Sequence, residues 1–118
     1  MKIFLVVLLL LLSCVMSDDQ VSSIKGIEVY SRKKTIETFQ ISSLRVIETC
    51  PSTKDSLEYM IKEGYNDFFS ELYYKKSSVE TCNLLFLALE CPTSRDTASI
   101  ISFYKNFLYQ CKISPVLF

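Results

Sequence analysis

The chain has 118 residues, with 13 basic and 13 acidic side chains, two glycines, three prolines and no histidine. Balanced charge gives no electrostatic footprint for nucleic acid. The absence of imidazole removes Ser/His/Asp and Cys/His nucleophilic systems along with every His-ligated zinc site.

The chain opens with MKIFLVVLLLLLSCVMS, where an unbroken apolar run extends from Ile3 to Leu12 behind a single lysine. This predicts a secretory signal peptide over residues 1–17, cut after Ser17. The run is too short for the roughly 20 residues a membrane span needs, so no membrane span is expected after cleavage. Cleavage also removes Cys14, leaving Cys50, Cys82, Cys91 and Cys111. An even number in an exported chain reads as a disulfide framework and places the protein outside the cell.

Residues 18–34 are polar, with scattered Val21, Ile24, Ile27 and Val29 and a closing basic run. They read as an N-terminal arm before a helical domain over 35–118. Few glycines and prolines mean few turns and long elements, which favours helices. Within the domain one phrase occurs twice, CPSTKDS at 50–56 and CPTSRDT at 91–97. Each copy is preceded by a related one, KKTIET at 33–38 and KKSSVET at 75–81.

After the first phrase Leu57, Met60, Ile61, Gly64, Phe68 and Leu72 line one side of a helix of period 3.6. Ser52 or Thr53 is expected to cap it, with Asp55 in its first turn. Gly64 on that stripe suggests the close approach of a neighbouring helix. After the second phrase Ile100, Phe103, Tyr104, Phe107, Leu108 and Cys111 form the stripe, with Thr93 or Ser94 as cap. Apolar segments precede both phrases. Ile36, Phe39, Leu44, Val46 and Ile47 lead to Cys50, and LLFLAL at 84–89 leads to Cys91 behind a Ser77/Glu80 pair at capping-box spacing.

The repeated phrase therefore reads as the corner of a helical hairpin: proline stops one helix and hydroxyls cap the next. The expectation is an all-α fold of two tandem hairpins, 35–75 and 77–111, with a tail over 112–118, closed as a disulfide-stapled four-helix bundle. LLFLAL, apolar nearly all round, should be the most buried segment, with a strand as its competing reading.

Helix geometry then orders the cysteines. Cys82 and Cys91 are nine positions apart in one helix, about 13 Å along its axis, and bonding needs Cα atoms within about 7 Å. Cys91 and Cys111 lie at opposite ends of the last arm. That leaves Cys50–Cys91 and Cys82–Cys111, the latter requiring the last helix to begin late, near Arg95.

No motif here implies an enzyme, a cofactor or a metal. The carboxylates fall on polar helix faces among lysines, and the cysteine spacings lack the close ligand pairs of an all-thiolate zinc site. Aromatics are in excess, and Tyr59, Tyr65, Phe69, Tyr73 and Tyr74 exceed what one apolar stripe needs. Such rings either fill the core, form a face for an extracellular protein partner, or line a pocket for a lipid or other small apolar molecule. Arg32, Lys33 and Lys34 also allow processing to a helical hormone-like ligand that starts at Thr35.

A leader of this kind, a Lys/Ile/Phe/Tyr/Ser-rich chain and helices stapled at CP corners resemble the small secreted cysteine-containing domains expanded in nematodes. The resemblance covers residues 35–111 and implies an extracellular, non-catalytic role. Those domains commonly carry more cysteines than the four here.

Overall fold

The structure is a computed structural model and describes residues 21–117; the expected signal peptide and Cys14 lie outside them. The chain is mostly helical, but the all-α expectation is corrected by a small antiparallel sheet of order β1-β2-β3. Strand β1 (Ser23–Ile24) turns into β2 (Ile27–Ser31), and β2 pairs with β3 (Tyr73–Lys75), setting Tyr30 opposite Tyr74. Lys25 and Gly26 both have positive φ, +51° and +79°, as a two-residue primed hairpin turn requires. Residues read as an arm are thus a strand whose partner lies forty-odd positions away. Burial of Val29 and Ser31 on alternate positions marks the face turned to the core.

Helix α1 (Arg32–Thr49) starts inside the basic run, three residues before its expected beginning, because Ser31 caps it by accepting from the Lys34 N–H at 3.1 Å. Arg32 donates from Nη2 to the Asn66 carbonyl at 2.7 Å and from Nε to the Phe69 carbonyl. These bonds tie the run to the far end of the following helix. Proline at the first position and a 3-10 turn (Pro51–Thr53) then lead into α2 (Lys54–Tyr59). Ser52 and Thr53 do not cap it; the Thr53 hydroxyl instead donates back to the Cys50 carbonyl at 2.7 Å.

The helix continues through a π turn (Met60–Gly64) into α3 (Tyr65–Phe68), with the Tyr65 N–H reaching the Met60 carbonyl five residues back. One extra residue in the turn moves the buried stripe by one position. Leu57, Met60 and Gly64 are buried where period 3.6 puts them, but beyond the turn Tyr65 and Phe69 are the fully buried residues, while Phe68 is half-buried and Leu72 exposed. Gly64 is buried with ordinary helical dihedrals, and the nearest atoms to it are those of the Met60 side chain rather than of a neighbouring helix. A Cβ there would collide with Met60 Sδ, one turn back in the same helix.

Helix α4 (Lys76–Ala88) begins without the expected capping box; Ser78 bonds the Lys75 carbonyl, and Glu80 accepts from the Tyr30 hydroxyl. LLFLAL is helical as far as Ala88, yet of α4 only Val79, Cys82 and Phe86 are buried. Leu84 and Leu85 stand 68% and 53% exposed. A helix packed by neighbours on one side buries one stripe, whatever its composition. Residues 89–96 form an open corner, and α5 (Thr97–Cys111) is capped by Asp96, which accepts from the Ser99 N–H at 3.1 Å. Ser94, an expected cap, accepts from Asp96 instead.

Both expected disulfides are present, Cys50–Cys91 and Cys82–Cys111, each with Cα atoms 5.6 Å apart. The second is reached because α5 starts late, which lifts Cys111 to the level of Cys82. Helix α1 packs against α4, α2 against α5, and each pair of a unit against itself. After Cys111, Lys112 takes a left-handed conformation that stops the helix, and the tail lines up beside β3. The Lys75 N–H donates to the Ser114 carbonyl and the Val116 N–H to the Tyr73 carbonyl, so the tail covers the free edge of the sheet.

Candidate interaction site

Aromatic rings dominate the interior. Phe39 of α1 meets Phe69 at 5.4 Å, Phe86 at 5.9 Å and Tyr65 at 6.0 Å between centroids, and Phe86 continues the chain of contacts to Tyr104 at 5.3 Å. Such separations are those of rings in direct contact, stacked for Phe39 on Phe69, edge-on for Phe39 on Phe86 and tilted for the others. Of the aromatics singled out from sequence, Tyr65, Phe69 and Tyr74 belong to this core. The Tyr65 hydroxyl bonds Ser43, itself buried and also donating to the Phe39 carbonyl. Burial pushes the Tyr65 phenol well above its ordinary range, with the Ser43 bond a smaller opposing influence. Burial likewise raises Tyr104 to about 12. Tyr74 is raised by burial too, and its oxygen accepts from the Glu71 N–H.

Tyr59 and Tyr73 are half-buried and sit apart from one another, Tyr59 beneath the Lys105 ammonium at 5.7 Å and Tyr73 in β3. The five rings are therefore not one face. A second aromatic group, unread in the sequence, does reach the surface. Tyr109 is 70% exposed and packs edge-on against half-buried Phe68 at 4.9 Å; Leu72, further along the segment that follows Phe68, is also exposed. The signal was available in the sequence, because Tyr109 is a large apolar residue one step off the stripe of Ile100, Tyr104 and Leu108.

A concavity of about 360 Å³ opens between the hairpin and the starts of α1 and α4, lined among others by Ser23, Glu28, Tyr30, Lys34 and Lys76. Its charges are largely matched. Lys76 lies 3.8 Å from Glu28 and 3.9 Å from Glu80, and both Lys34 and Lys76 stand over the Tyr30 ring. Burial, then the Glu80 carboxylate that accepts its proton, raises the Tyr30 phenol. Among the described residues no group of three or more Cys, Asp or Glu is placed to hold a metal ion, and no helix is long and apolar enough to cross a membrane.

Exposed apolar side chains also recur on α1 and α4. Counting from the Glu-Thr shared by the two units, Ile41 corresponds to Leu84 and Leu44 to Leu87. Ile41 and Leu44 are 58% and 57% exposed, and Leu87 is exposed as well. The repeat thus places apolar residues outside at the same two places in each unit. No protein-family model, curated protein or solved structure matches this chain.

Proposed function

We propose that this is a secreted, non-catalytic interaction protein that binds an extracellular protein partner. Two disulfides fit an oxidising compartment, and the apolar leader supplies the route out of the cell. The observation that carries the reading is the outward presentation of large apolar groups, Tyr109 on Phe68 and the exposed Leu72, with the Cys82–Cys111 bond pinning the helix that carries Tyr109. Rigid aromatic groups at the surface lose little entropy on binding and recur at the centres of interfaces. Processing at the basic run is not part of the proposal, because Arg32 and Ser31 hold that run in the first turn of α1. Nor is a carrier role, since the rings that would line an apolar cavity touch one another.

The test is photo-cross-linking from position 109 in extracellular material, followed by native mass spectrometry of the protein taken from its source. The expected result is a single protein adduct, lost in Leu72→Ser, and a native mass without a small molecule. A retained apolar molecule and no protein adduct would overturn the proposal in favour of a carrier.

A further inference from the structure

The outer surface of α1 carries Lys34, Glu37, Ile41, Arg45 and Glu48 at steps of three, four, four and three, a single helical face. All five are exposed. On α4 the equivalent face carries Lys76, Glu80, Leu84 and Leu87. The two helices run side by side in the same direction, since Ser42 donates to Asn83 midway and the Cys50–Cys91 bond joins their far ends. Both bury their opposite faces in one core, so the two outer faces look the same way. Ile41 and Leu84 stand within a turn of the same height.

The order of charges on α1 is self-complementary when reversed. With two copies antiparallel and Ile41 on the two-fold axis, Lys34 falls opposite Glu48 and Glu37 opposite Arg45, twice over. Residue numbers in each facing pair sum to 82, twice the number of the central isoleucine. A two-fold dimer requires such a surface, the same patch meeting itself. A parallel arrangement of α1 on a partner's α4 would instead set Lys34 on Lys76 and Glu37 on Glu80, two like-charge contacts that oppose it. Among the described residues none of Glu37, Arg45 and Glu48 has an ion pair, and Lys34 overlies the Tyr30 ring.

We propose that this face docks a second copy of the same chain, antiparallel, with Ile41 and Leu84 at its centre and the Lys34–Glu48 and Glu37–Arg45 pairs at its rim. Two helices about 10 Å wide, one of 18 residues and about 27 Å long, the other of 13 and about 20 Å long, offer roughly 500 Å² per copy. That is below the roughly 800 Å² per partner of a standard interface, so the dimer is weak, with a dissociation constant of the order of tens of micromolar. The self-association uses a face distinct from Tyr109 and Leu72. It stands or falls apart from the proposed foreign partner.

Sedimentation equilibrium of the disulfide-bonded protein over about 5 to 300 µM tests it across that affinity range. Dimerisation is expected, abolished in Ile41→Glu/Leu84→Glu with an unchanged circular dichroism spectrum. Glu37→Arg alone and Arg45→Glu alone should each weaken association about tenfold, and the two together should restore most of it. A wild-type protein that stays monomeric throughout, a dimer indifferent to Ile41→Glu/Leu84→Glu, or a double reversal as weak as either single one would overturn the proposal. A monomer that still yields the position-109 adduct would leave the proposed function standing.

Discussion

The two halves of the molecule run through the same parts, strand, helix, Cys-Pro corner, helix, and close them by different means. In the first half a 3-10 turn carries the chain at once from Pro51 into α2, and the register of the outgoing helix is adjusted inside it by the π turn. In the second the adjustment lies in the corner, where the open stretch before Thr97 delays α5 until Cys111 is level with Cys82. One unit spends an extra residue within a helix, the other spends several before it. The comparison shows that a repeat constrains where the corners and staples meet, while each unit tunes its own core by local slack.

That difference can be broken most sharply by deletion. Removing exposed Lys62 takes out the residue that makes the π turn and returns a regular helix with Tyr65 and Phe69 still inward; the protein is expected to fold with both disulfides. Removing exposed Thr81 from regular α4 turns Val79 by about 100° relative to Cys82 and Phe86, and no native protein is expected. Circular dichroism and free-thiol titration distinguish the two.

Next in size are changes to what the halves share. Phe39→Ala removes the ring that touches both Phe69 and Phe86 and should cost about 4 kcal/mol in urea unfolding. Replacing Cys50 and Cys91 together by alanine opens a 41-residue link and should cost roughly 4 kcal/mol by the chain-entropy model. Replacing Cys82 and Cys111, 29 residues apart, should cost only slightly less.

Smaller effects test the buried phenols. Tyr65→Phe deletes a hydroxyl bonded to Ser43 and should cost about 1 kcal/mol, because Ser43 keeps the Phe39 carbonyl. Tyr104 has its ionisation raised by burial to about 12 in the fold, above its ordinary 10.0. The unfolded chain therefore loses that proton first as pH rises. The stability this group contributes is full below about pH 10 and is lost as pH rises toward 12. Urea midpoints should fall through that window, and Tyr104→Phe should flatten the fall.

What the sequence showed of this fold is what local chemistry and spacing determine. Proline, cysteine and a hydroxyl-rich turn made the corner legible, and helix rise excluded both Cys82–Cys91 and Cys91–Cys111, which left the observed pairing. The sheet was illegible because Ile27–Ser31 becomes a strand only when Tyr73–Lys75 arrives beside it. The place of Tyr65 and Phe69 was left open for a different reason: period 3.6 was continued through the π turn at Met60–Gly64. LLFLAL misled because composition says how much a segment could bury, not how many neighbours it will have. For the same reason the interaction face was obscure, with Leu84 assigned to the interior and Tyr109 left unassigned.

Peptide mapping of the protein under non-reducing conditions tests most directly whether two strand–helix–corner–helix units lie side by side, pinned at their corners. Peptides linked through Cys50–Cys91 and through Cys82–Cys111 are expected, with no free thiol at these four positions. A peptide that links Cys82 to Cys91 would contradict the arrangement, because Cys82 on α4 is bonded to Cys111 on α5 while Cys91 in the corner is bonded to Cys50.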